Sequence, residues 1–317
     1  MKKYLCLLFI ILFSCNNHDE NKIAIVIHGG AGIILKENIS KSKEDSIINK
    51  LDEAISKGWE LLKKGESSEM AVIETIKILE DSPLFNAGKG SVFNSEGKVE
   101  NDASIMKGND LNAGASSGTS NVKNPITLAA NIMNHSEHVF LSGKGAENFA
   151  KNRNLEIVNN EYFHTKFRYN QLLNKKGDDK YGTVGCVAID VNGNIVAGTS
   201  TGGMTNKKWG RIGDSPIIGA GTYANNSTCG ISSTGSGEYF IRTVAAYQVS
   251  SLLENHNYDL KKAMYKVIHE KIGGIGGDGG MIGIDKNSNI SMEFNTPGMY
   301  RAYVNKYGEK EIFLYEE

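Results

Sequence analysis

The chain has 317 residues, 40% of them hydrophobic, so it can bury a sizeable core in one large domain or two small ones. Its 35 lysines and arginines are balanced by 36 aspartates and glutamates, which gives no charge bias towards a nucleic acid or a polyanionic substrate. Glycine is abundant at 36 residues and proline scarce at 4, a composition that favours tight turns and close backbone approaches over disorder.

The first residues have the pattern of a secretory signal. A charged start is followed by an apolar run that ends near residue 13 and is too short to span a bilayer. The run closes as Leu12-Phe13-Ser14-Cys15, which resembles the lipobox of bacterial lipoproteins. We predict a signal peptide over 1–14, lipidation at Cys15, a polar tether over 15–22, and export to the periplasmic or cell-surface side of a membrane. An ordinary signal with a chance cysteine is the alternative.

The first half of the chain predicts alternating strands and helices. Residues 23–27 are rich in β-branched side chains and run into the glycine-rich turn 28–32, which indicates a buried strand. Apolar residues at helical spacing predict helices over 42–64 and 68–81. The other elements predicted here are strands at 91–93, 102–106 and 138–141 and helices at 125–133 and 146–151.

Residues 151–180 differ in character, with clustered Asn, Lys and Asp and little periodicity. This pattern predicts an exposed, flexible linker over about 151–182. The linker would stop at Gly182, where a cut would leave two new chain ends that need room.

The second half predicts a hairpin, then more strands and helices. Strands at 184–190 and 195–199 flank Asn192-Gly193, which supplies the positive φ angles of a tight turn. Layered α/β structure with largely antiparallel sheets follows from this order of elements. The remaining predicted elements are strands at 228–233, 280–284 and 290–294 and helices at 238–254 and 259–271.

Thr183 follows Gly182 at the start of an apolar strand, and a cut between them would give one residue both a hydroxyl and a free α-amine. A threonine hydroxyl needs an adjacent base, and an α-amine with a pKa of about 7.7–8.0 can supply one. Gly182 permits the strained backbone that an N→O acyl shift requires. The alternative is a β-branched residue at a strand start.

Two polar clusters downstream have the chemistry of an amino-acid site. Arg211 and Asp214 flank a glycine turn, where a guanidinium can bind an α-carboxylate and a carboxylate an ammonium group. A surface ion pair is the alternative. Residues 234–237, before a predicted helix, present hydroxyl and backbone N–H groups suited to an oxyanion, a phosphate or a simple helix cap.

Metal and dinucleotide chemistry are disfavoured. The seven histidines show no ligand spacing, and His28 is interpreted as a structural residue. The glycine-rich segment 274–279 follows a helix and precedes a strand, the wrong order for a dinucleotide fingerprint. Cys186 and Cys229 lie in strand-like surroundings, which predicts two buried free thiols.

These motifs, in this order and spacing, resemble the plant-type L-asparaginase/isoaspartyl peptidase family of threonine N-terminal-nucleophile hydrolases, over about residues 23–303. Relatives acting on glycosylated asparagine usually carry aspartate before the nucleophile and tend to have asparagine where this chain has Gly202. Gly182 and Gly202 therefore favour the asparaginase branch. The matching segments are 28–32, 83–88, 182–185, 200–204, 210–221 and 295–301.

The resemblance implies a four-layer αββα sandwich made as a single-chain precursor. It is expected to cut itself between Gly182 and Thr183 into 15–182 and 183–317, which remain one hydrolase domain over 23–317. A dimer of such αβ heterodimers is also implied. The implied substrates are small molecules, L-asparagine and β-aspartyl dipeptides, which release L-aspartate through a β-aspartyl ester on Thr183.

The resemblance also implies residue roles. Thr183 is the expected nucleophile and, through its amine, the base, and Thr201 tunes it. The substrate is expected to be held by Arg211, Asp214 and the Gly237 carbonyl, the oxyanion by Thr234 and Gly235, and the water by Asn86.

No catalytic cofactor is implied. The family has a structural sodium loop of backbone carbonyls, whose counterparts here are Leu79, Glu80, Ser82, Phe85, Ala87 and Lys89. Two other functions stay open: a non-catalytic surface lipoprotein that binds amino acids or peptides, and a glycosylasparaginase.

Overall fold

The computed structural model describes residues 23–174 and 182–316, which form twelve strands and eight α-helices within those ranges. The strands are β1 (Ala24–Gly32), β2 (Asn101–Lys107), β3 (Ala113–Thr119), β4 (Phe140–Ser142), β5 (Val184–Ile189), β6 (Ile195–Thr201), β7 (Thr222–Ala224), β8 (Cys229–Gly235), β9 (Gly279–Asp285), β10 (Ile290–Phe294), β11 (Gly298–Val304) and β12 (Lys310–Tyr315). The helices are α1 (Lys41–Lys63), α2 (Ser68–Glu80), α3 (Pro125–His135), α4 (Gly143–Asn152), α5 (Lys166–Leu173), α6 (Gly237–Thr243), α7 (Ala245–His256) and α8 (Leu260–Tyr265).

The strands form two sheets that pack face to face. The larger has eight strands in the order β12-β11-β1-β5-β6-β2-β3-β4, and the smaller has four in the order β10-β9-β8-β7. All pairs are antiparallel except β3 with β4. Helices α1 to α3 cover the outer face of the larger sheet, and α7 and α8 that of the smaller one. The expected four-layer αββα sandwich is confirmed.

The central strands are buried on both faces, which explains their nearly continuous apolar sequences. On β1, Ile25 and Ile27 pack against the helices, while Ala24 and Val26 face the other sheet. The same period of two places Thr183, just before β5, on the face that looks towards the smaller sheet, together with Val187. The alternation therefore decides which side chains reach the space between the sheets.

Helix α2 begins where the sequence predicts and α1 one residue earlier, and serine caps explain both starts. Ser40 Oγ accepts a hydrogen bond from Lys43 N at 3.3 Å, and Ser67 Oγ accepts one from Met70 N at 3.2 Å. Each cap satisfies a backbone donor that the first helical turn leaves unpaired.

Two predicted helices are interrupted. The helix expected over 238–254 divides at Val244, which has the left-handed φ of 49° and separates α6 from α7. The Tyr247 N–H beyond the break donates to the Gly219 carbonyl at 2.8 Å, so a loop replaces the missing helical partner. The helix expected over 259–271 changes from α to π geometry at Lys266.

The predicted linker over 151–182 is largely exposed in its described part, as expected, but it contains regular structure that was not predicted. Residues 160–163 form a 3₁₀ turn and α5 follows directly. Phe163 packs in a small apolar cluster, and the buried Arg168 donates from Nε to the Gly90 carbonyl at 2.8 Å. These tertiary contacts stabilise a segment whose own periodicity is weak. The C-terminal part of the predicted linker, 175–181, lies outside the described residues.

Four strands were not predicted, and one predicted strand is absent. Residues 91–93 form only an isolated bridge, from Phe93 to Val99. Strand β3 is built from small residues because α3 lies directly on it: a Cβ on Gly114 would lie 2.0 Å from the Ala129 carbonyl oxygen. The strands that the sequence patterns missed are β3, β7, β11 and β12.

The two cysteines of the described ranges, Cys186 and Cys229, are free and buried, as predicted. Across 23–174 and 182–316, every helix is too short or too polar to cross a bilayer. The predicted signal peptide and the lipidation site Cys15 lie outside the described residues.

Candidate active site

Thr183 and Thr201 are brought together by the pairing of β5 with β6. Thr183 precedes the first residue of β5 and Thr201 is the last of β6, and Val184 pairs with Ser200. Thr183 Oγ1 donates to Thr201 Oγ1 at 3.0 Å, and Thr201 Oγ1 also accepts from Gly203 N at 3.0 Å. The second threonine is thus fixed by the backbone and can stabilise charge on the first.

The peptide before Thr183 lies in crowded surroundings. Gly182 has a φ of 35°, in the left-handed region. A Cβ on Gly30 would lie 1.9 Å from the Gly182 Cα, and one on Gly182 would lie 2.2 Å from the Gly29 carbonyl oxygen. Glycine is therefore required on both sides of this contact, which explains the glycine-rich end of β1.

Asn86 joins the two loops that meet at this peptide. Its backbone N–H donates to the Gly182 carbonyl at 3.2 Å, and its side-chain Nδ2 donates to the Gly203 carbonyl at 2.7 Å. Its Oδ1 accepts from Val92 N at 3.0 Å. The backbone of Asn86 thus contacts the bond at which cleavage is predicted.

Thr234 and Gly235 end β8 on the opposite wall of the site. Thr234 Oγ1 accepts from Ala31 N at 3.3 Å, so its own proton is free to point elsewhere. Gly235 has a φ of 146°, and a Cβ there would lie 2.4 Å from the Asp278 carbonyl oxygen. The glycine allows β8 to turn sharply and leaves its backbone open to the cleft.

Arg211 and Asp214 converge as predicted, but Arg211 already has a partner. Its Nε and Nη2 donate to the two carboxylate oxygens of Glu238 at 2.8 and 2.9 Å. The sequence interpretation missed Glu238, although its position one residue after Gly237 places it at the start of α6. A Cβ on Gly237 would lie 2.7 Å from Asp214 Oδ1 and 2.9 Å from Arg211 Nη2, so both side chains fold around this glycine.

Asp214 is buried and incompletely paired. It is 4% exposed, and its Oδ2 has no hydrogen-bond partner among the described residues. Burial raises the pKa of Asp214 to about 7, while the nearby Arg211 charge acts in the opposite direction. A carboxylate in this state gains a partner when an ammonium group binds.

His28 is a buried residue that contacts the backbone of Thr183. The imidazole is fully buried, and burial lowers the pKa of His28 to about 3, so the ring is neutral. Its Nδ1 hydrogen-bonds to the Thr183 carbonyl at 2.9 Å, and its Nε2 to Ser232 Oγ at 3.0 Å.

A buried charge cluster behind Thr201 was also missed. Lys207 Nζ donates to the Glu100 carbonyl at 3.1 Å and lies 3.9 Å from Asp102 Oδ2, with both side chains 1% exposed. Asp102 pairs with Thr201 between β2 and β6. Burial raises the pKa of Asp102, and the Lys207 charge opposes this shift.

The predicted sodium loop is compact, and its carbonyls lie near glycines. A Cβ on Gly88 would lie 2.4 Å from the Glu80 carbonyl oxygen, and one on Gly90 would lie 2.0 Å from that of Phe85. Ser82 N donates to the Leu79 carbonyl at 3.2 Å. The Leu79 carbonyl therefore already has a donor within the chain, and the sodium loop stays a prediction. The described residues hold no group of three or more His, Cys, Asp or Glu side chains suited to a metal.

Residues of both sheets and of the loops between them line one cleft. It contains Thr183, Thr201, Arg211, Asp214 and Thr234, with Asn86, Gly182, Gly235 and Glu238 also in its wall. Gly237 is buried behind Arg211 and Asp214. The cleft therefore unites a hydroxyl pair with a carboxylate and a guanidinium, the groups that bind an amino acid at its α end.

The four-layer sandwich is the fold of the N-terminal-nucleophile hydrolases, and the chain belongs to the asparaginase family, whose model matches residues 21–314. It is 46% identical to the isoaspartyl peptidase of Escherichia coli, over 89% of this chain and 92% of that protein. A putative isoaspartyl peptidase/L-asparaginase of Dictyostelium discoideum is also 46% identical, over 90% and 94%. The plant-type L-asparaginase of Pyrococcus furiosus is 41% identical, over 91% and 98%.

Proposed function

We propose that this protein is an isoaspartyl peptidase and L-asparaginase that matures by cutting itself between Gly182 and Thr183. The single observation that carries the proposal is the Thr183 hydroxyl, 3.0 Å from Thr201 and in one cleft with Arg211 and Asp214. A nucleophile and an amino-acid recognition pair lie at the two ends of the same small space. The names of the similar proteins support the same substrates.

The cleavage step depends on the close backbone packing around Gly182. Thr183 Oγ attacks the Gly182 carbonyl, its proton passes to the departing Thr183 nitrogen, and water then hydrolyses the resulting ester. The left-handed φ of Gly182 and its close packing against Gly30 support this step, since they hold the peptide bond in a fixed conformation next to Thr183. Hydrolysis leaves Thr183 with a free α-amine.

The mature enzyme then acts by acylation and deacylation. The Thr183 amine takes the hydroxyl proton, Oγ attacks the substrate side-chain carbonyl, and the leaving amine departs with a proton. Donors at Thr234 and Gly235 stabilise the oxyanion, and Thr201 stabilises Oγ. Water positioned near Asn86 attacks the β-aspartyl ester, which frees aspartate and restores Thr183.

Recognition falls on the α end of the substrate. Arg211 binds the α-carboxylate, and Asp214, together with the Gly237 carbonyl, binds the α-ammonium group. The leaving group lies away from these contacts, so ammonia and an amino acid can both depart from the same site. One cleft therefore serves L-asparagine and β-aspartyl dipeptides.

The space around Gly202 favours this function over glycosylasparaginase. A Cβ on Gly202 would lie 2.5 Å from Ser91 Cβ and 2.6 Å from Asn86 Oδ1. An asparagine at this position, which glycosylasparaginases tend to have, does not fit these surroundings without rearrangement of Asn86. The glycine and the Asn86 contacts are thus matched to each other.

Three further features belong to the proposal. A sodium ion held by the carbonyls of the 79–89 loop would supply positive charge that orders this loop, which contains Asn86. Two cleaved αβ units are proposed to form a dimer. Cys15 is proposed to carry a lipid that anchors the exported enzyme.

Purified protein tests the proposal directly. Wild type should yield two fragments on a denaturing gel, with Thr183 as the first residue of the smaller one, and should release aspartate from a β-aspartyl dipeptide and from L-asparagine. Thr183→Ala should stay one chain. Thr228→Ala, a buried threonine remote from the cleft, should still split. A non-catalytic binding lipoprotein would bind amino acids without releasing aspartate.

A further inference from the structure

A continuous path of hydrogen bonds lies between the two sheets, directly beneath the cleft. Five side chains form it, each with no exposed surface. None of them lines the cleft itself. The path consists of His28, Ser232, Thr199, Thr222 and Ser104.

Each link crosses from one sheet to the other. His28 Nε2 is 3.0 Å from Ser232 Oγ, which is 2.7 Å from Thr199 Oγ1. Thr199 Oγ1 is 2.6 Å from Thr222 Oγ1, which is 2.7 Å from Ser104 Oγ. His28, Thr199 and Ser104 belong to the larger sheet, and Ser232 and Thr222 to the smaller one.

Both ends of the path are backbone carbonyls of the cleft. At one end His28 Nδ1 reaches the Thr183 carbonyl at 2.9 Å. At the other, Ser104 Oγ donates to the Ser215 carbonyl at 2.6 Å, next to Asp214. The path thus connects the nucleophile with the loop that carries the proposed ammonium-binding carboxylate.

The carbonyl at the Thr183 end favours one direction of hydrogen-bond donation along the path. The alternative acceptors are more distant: the Gly221 carbonyl is 3.3 Å from Thr199 Oγ1, and the Ser215 carbonyl is 3.5 Å from Thr222 Oγ1. The Thr183 carbonyl only accepts, so Nδ1 of the neutral imidazole carries the proton and Nε2 accepts from Ser232. Ser232 then accepts from Thr199, and Thr199 from Thr222. Ser104 shares its single proton between Thr222 and the Ser215 carbonyl. Aligned hydroxyl groups polarise one another, which strengthens the final bond to Thr183.

Gly185 leaves the room that the first link needs. It lies on β5 opposite His28 on β1. A Cβ on Gly185 would lie 2.0 Å from Ser232 Oγ and 2.2 Å from His28 Nε2. Any side chain at this position would therefore displace the imidazole or the hydroxyl.

Packing alone does not require this polar layer. The positions two residues away from the path residues, on the same faces of their strands and further from the cleft, are apolar. They are Val26 before His28, Ala197 before Thr199 and Ala224 after Thr222. Buried hydroxyl groups contribute little net stability compared with apolar groups of the same shape. Their place between the apolar core and the cleft points to a role in the site.

We propose that this path is a positioning relay, which holds His28 as the Nδ1–H tautomer and thereby fixes the backbone of Thr183 relative to the Asp214 loop. His28, Ser232 and Thr199 act through Thr183 and touch no substrate. The inference rests on the proposed function for its kinetic consequences only. A misplacement of a nucleophile by about 1 Å can cost about 100-fold in rate, so loss of the relay should lower kcat.

The test compares Ser232→Ala with Ser250→Ala. Both serines are buried, and Ser250 Oγ contacts Thr228 Oγ1 at 2.6 Å, far from the relay. We expect Ser232→Ala to lower kcat on a β-aspartyl dipeptide about tenfold, with KM within about twofold, because the recognition pair is untouched. Ser232→Thr, which restores a hydroxyl, should recover most of the rate, and Ser250→Ala should match wild type.

A second measurement does not depend on activity. The sample is uncleaved Thr183→Ala protein, in which the imidazole ¹⁵N chemical shifts of His28 are assigned by comparison with His28→Gln. These shifts should show the Nδ1–H tautomer. Adding Thr199→Val should change the shifts, whereas adding Ser250→Ala should not. If wild type hydrolyses dipeptide and Ser232→Ala does so equally fast with unchanged shifts, the relay is refuted. If wild type hydrolyses nothing while the shifts respond as expected, the proposed function fails and the relay stands. Should Ser232→Ala not fold, Thr199→Val carries both measurements.

Discussion

Glu238 holds the guanidinium of Arg211 through two hydrogen bonds, of 2.8 and 2.9 Å. These bonds take the Nε and Nη2 donors, whereas Nη1 lies near Gly213 on the cleft wall. In the proposed mechanism, a substrate carboxylate therefore binds an arginine that is already oriented. It either accepts hydrogen bonds from the remaining donors of Arg211 or replaces the Glu238 carboxylate.

Arg211→Lys should weaken substrate binding while sparing maturation. Lysine keeps the charge but has no planar fork, so it loses the paired hydrogen bonds, a cost of about 1.5–3 kcal/mol for bonds to a charged group. We expect kcat/KM on a β-aspartyl dipeptide to fall at least about tenfold, with the extent of self-cleavage unchanged. Equal turnover by the variant and wild type would show that Arg211 is only an ion-pair residue.

Glu238→Gln should modestly improve affinity. Glutamine keeps one acceptor for Arg211 but removes a negative charge close to the incoming α-carboxylate. The Glu238 side chain is 53% exposed, so screening limits the effect to less than about 1 kcal/mol. We expect KM to fall up to several-fold with kcat unchanged, and the difference to shrink at high salt. A rise in KM would instead mean that Glu238 serves mainly to orient Arg211.

Asp214 should make the folded protein less stable as pH rises. The pKa of Asp214 is about 7 in the folded state, above the ordinary value of 3.8. Between these two pH values the folded state binds more protons than the unfolded state. The free energy of unfolding therefore falls as pH rises from about 4 to 7. Urea unfolding of Thr183→Ala protein, with and without Asp214→Asn, isolates this contribution. The pH slope in that window should be smaller in the double variant, and identical slopes would contradict the shift.

Gly30→Ala should block or strongly slow self-cleavage. Its Cβ would lie 1.9 Å from the Gly182 Cα, and its φ of 112° disfavours any side chain. Gly193→Ala is the matched control, because it also has a positive φ, of 76°, but open space around it. The fraction of split chain on a denaturing gel is the measurement. Normal splitting of Gly30→Ala would show that this close contact is not needed.

Cys15→Ser should release the exported protein from the membrane fraction. The prediction depends on the sequence 12–15 after a short apolar run, since acyl chains on Cys15 would provide the anchor. Cys6→Ser, within the same leader, should remain membrane-bound. Cell fractionation followed by immunoblotting separates the outcomes, and a wild-type protein that is already soluble after export would contradict the anchor.

Local sequence was sufficient for the elements that carry their own periodicity. The apolar spacing of 42–64 and 68–81 and the Asn192-Gly193 hairpin each match the structure to within a few residues. The convergence of Arg211 and Asp214 could also be predicted, since both flank one turn. Strand β3 could not be predicted from local sequence, because its small residues reflect the close approach of α3 rather than any strand preference.

The chain by itself thus determined the family, the layered fold and the threonine at the cleft, all of which depend on short motifs in order. Tertiary structure alone decided that Glu238 would pair with Arg211 and that residues 160–173 would form regular structure around Phe163. It also decided that His28 would meet Ser232, which lies 204 positions further along the chain. The contact of His28 with Ser232 joins strands of the two sheets, and the other two contacts join helices or turns to loops that are distant in the chain. Their partners are chosen by register and packing, which no local pattern records.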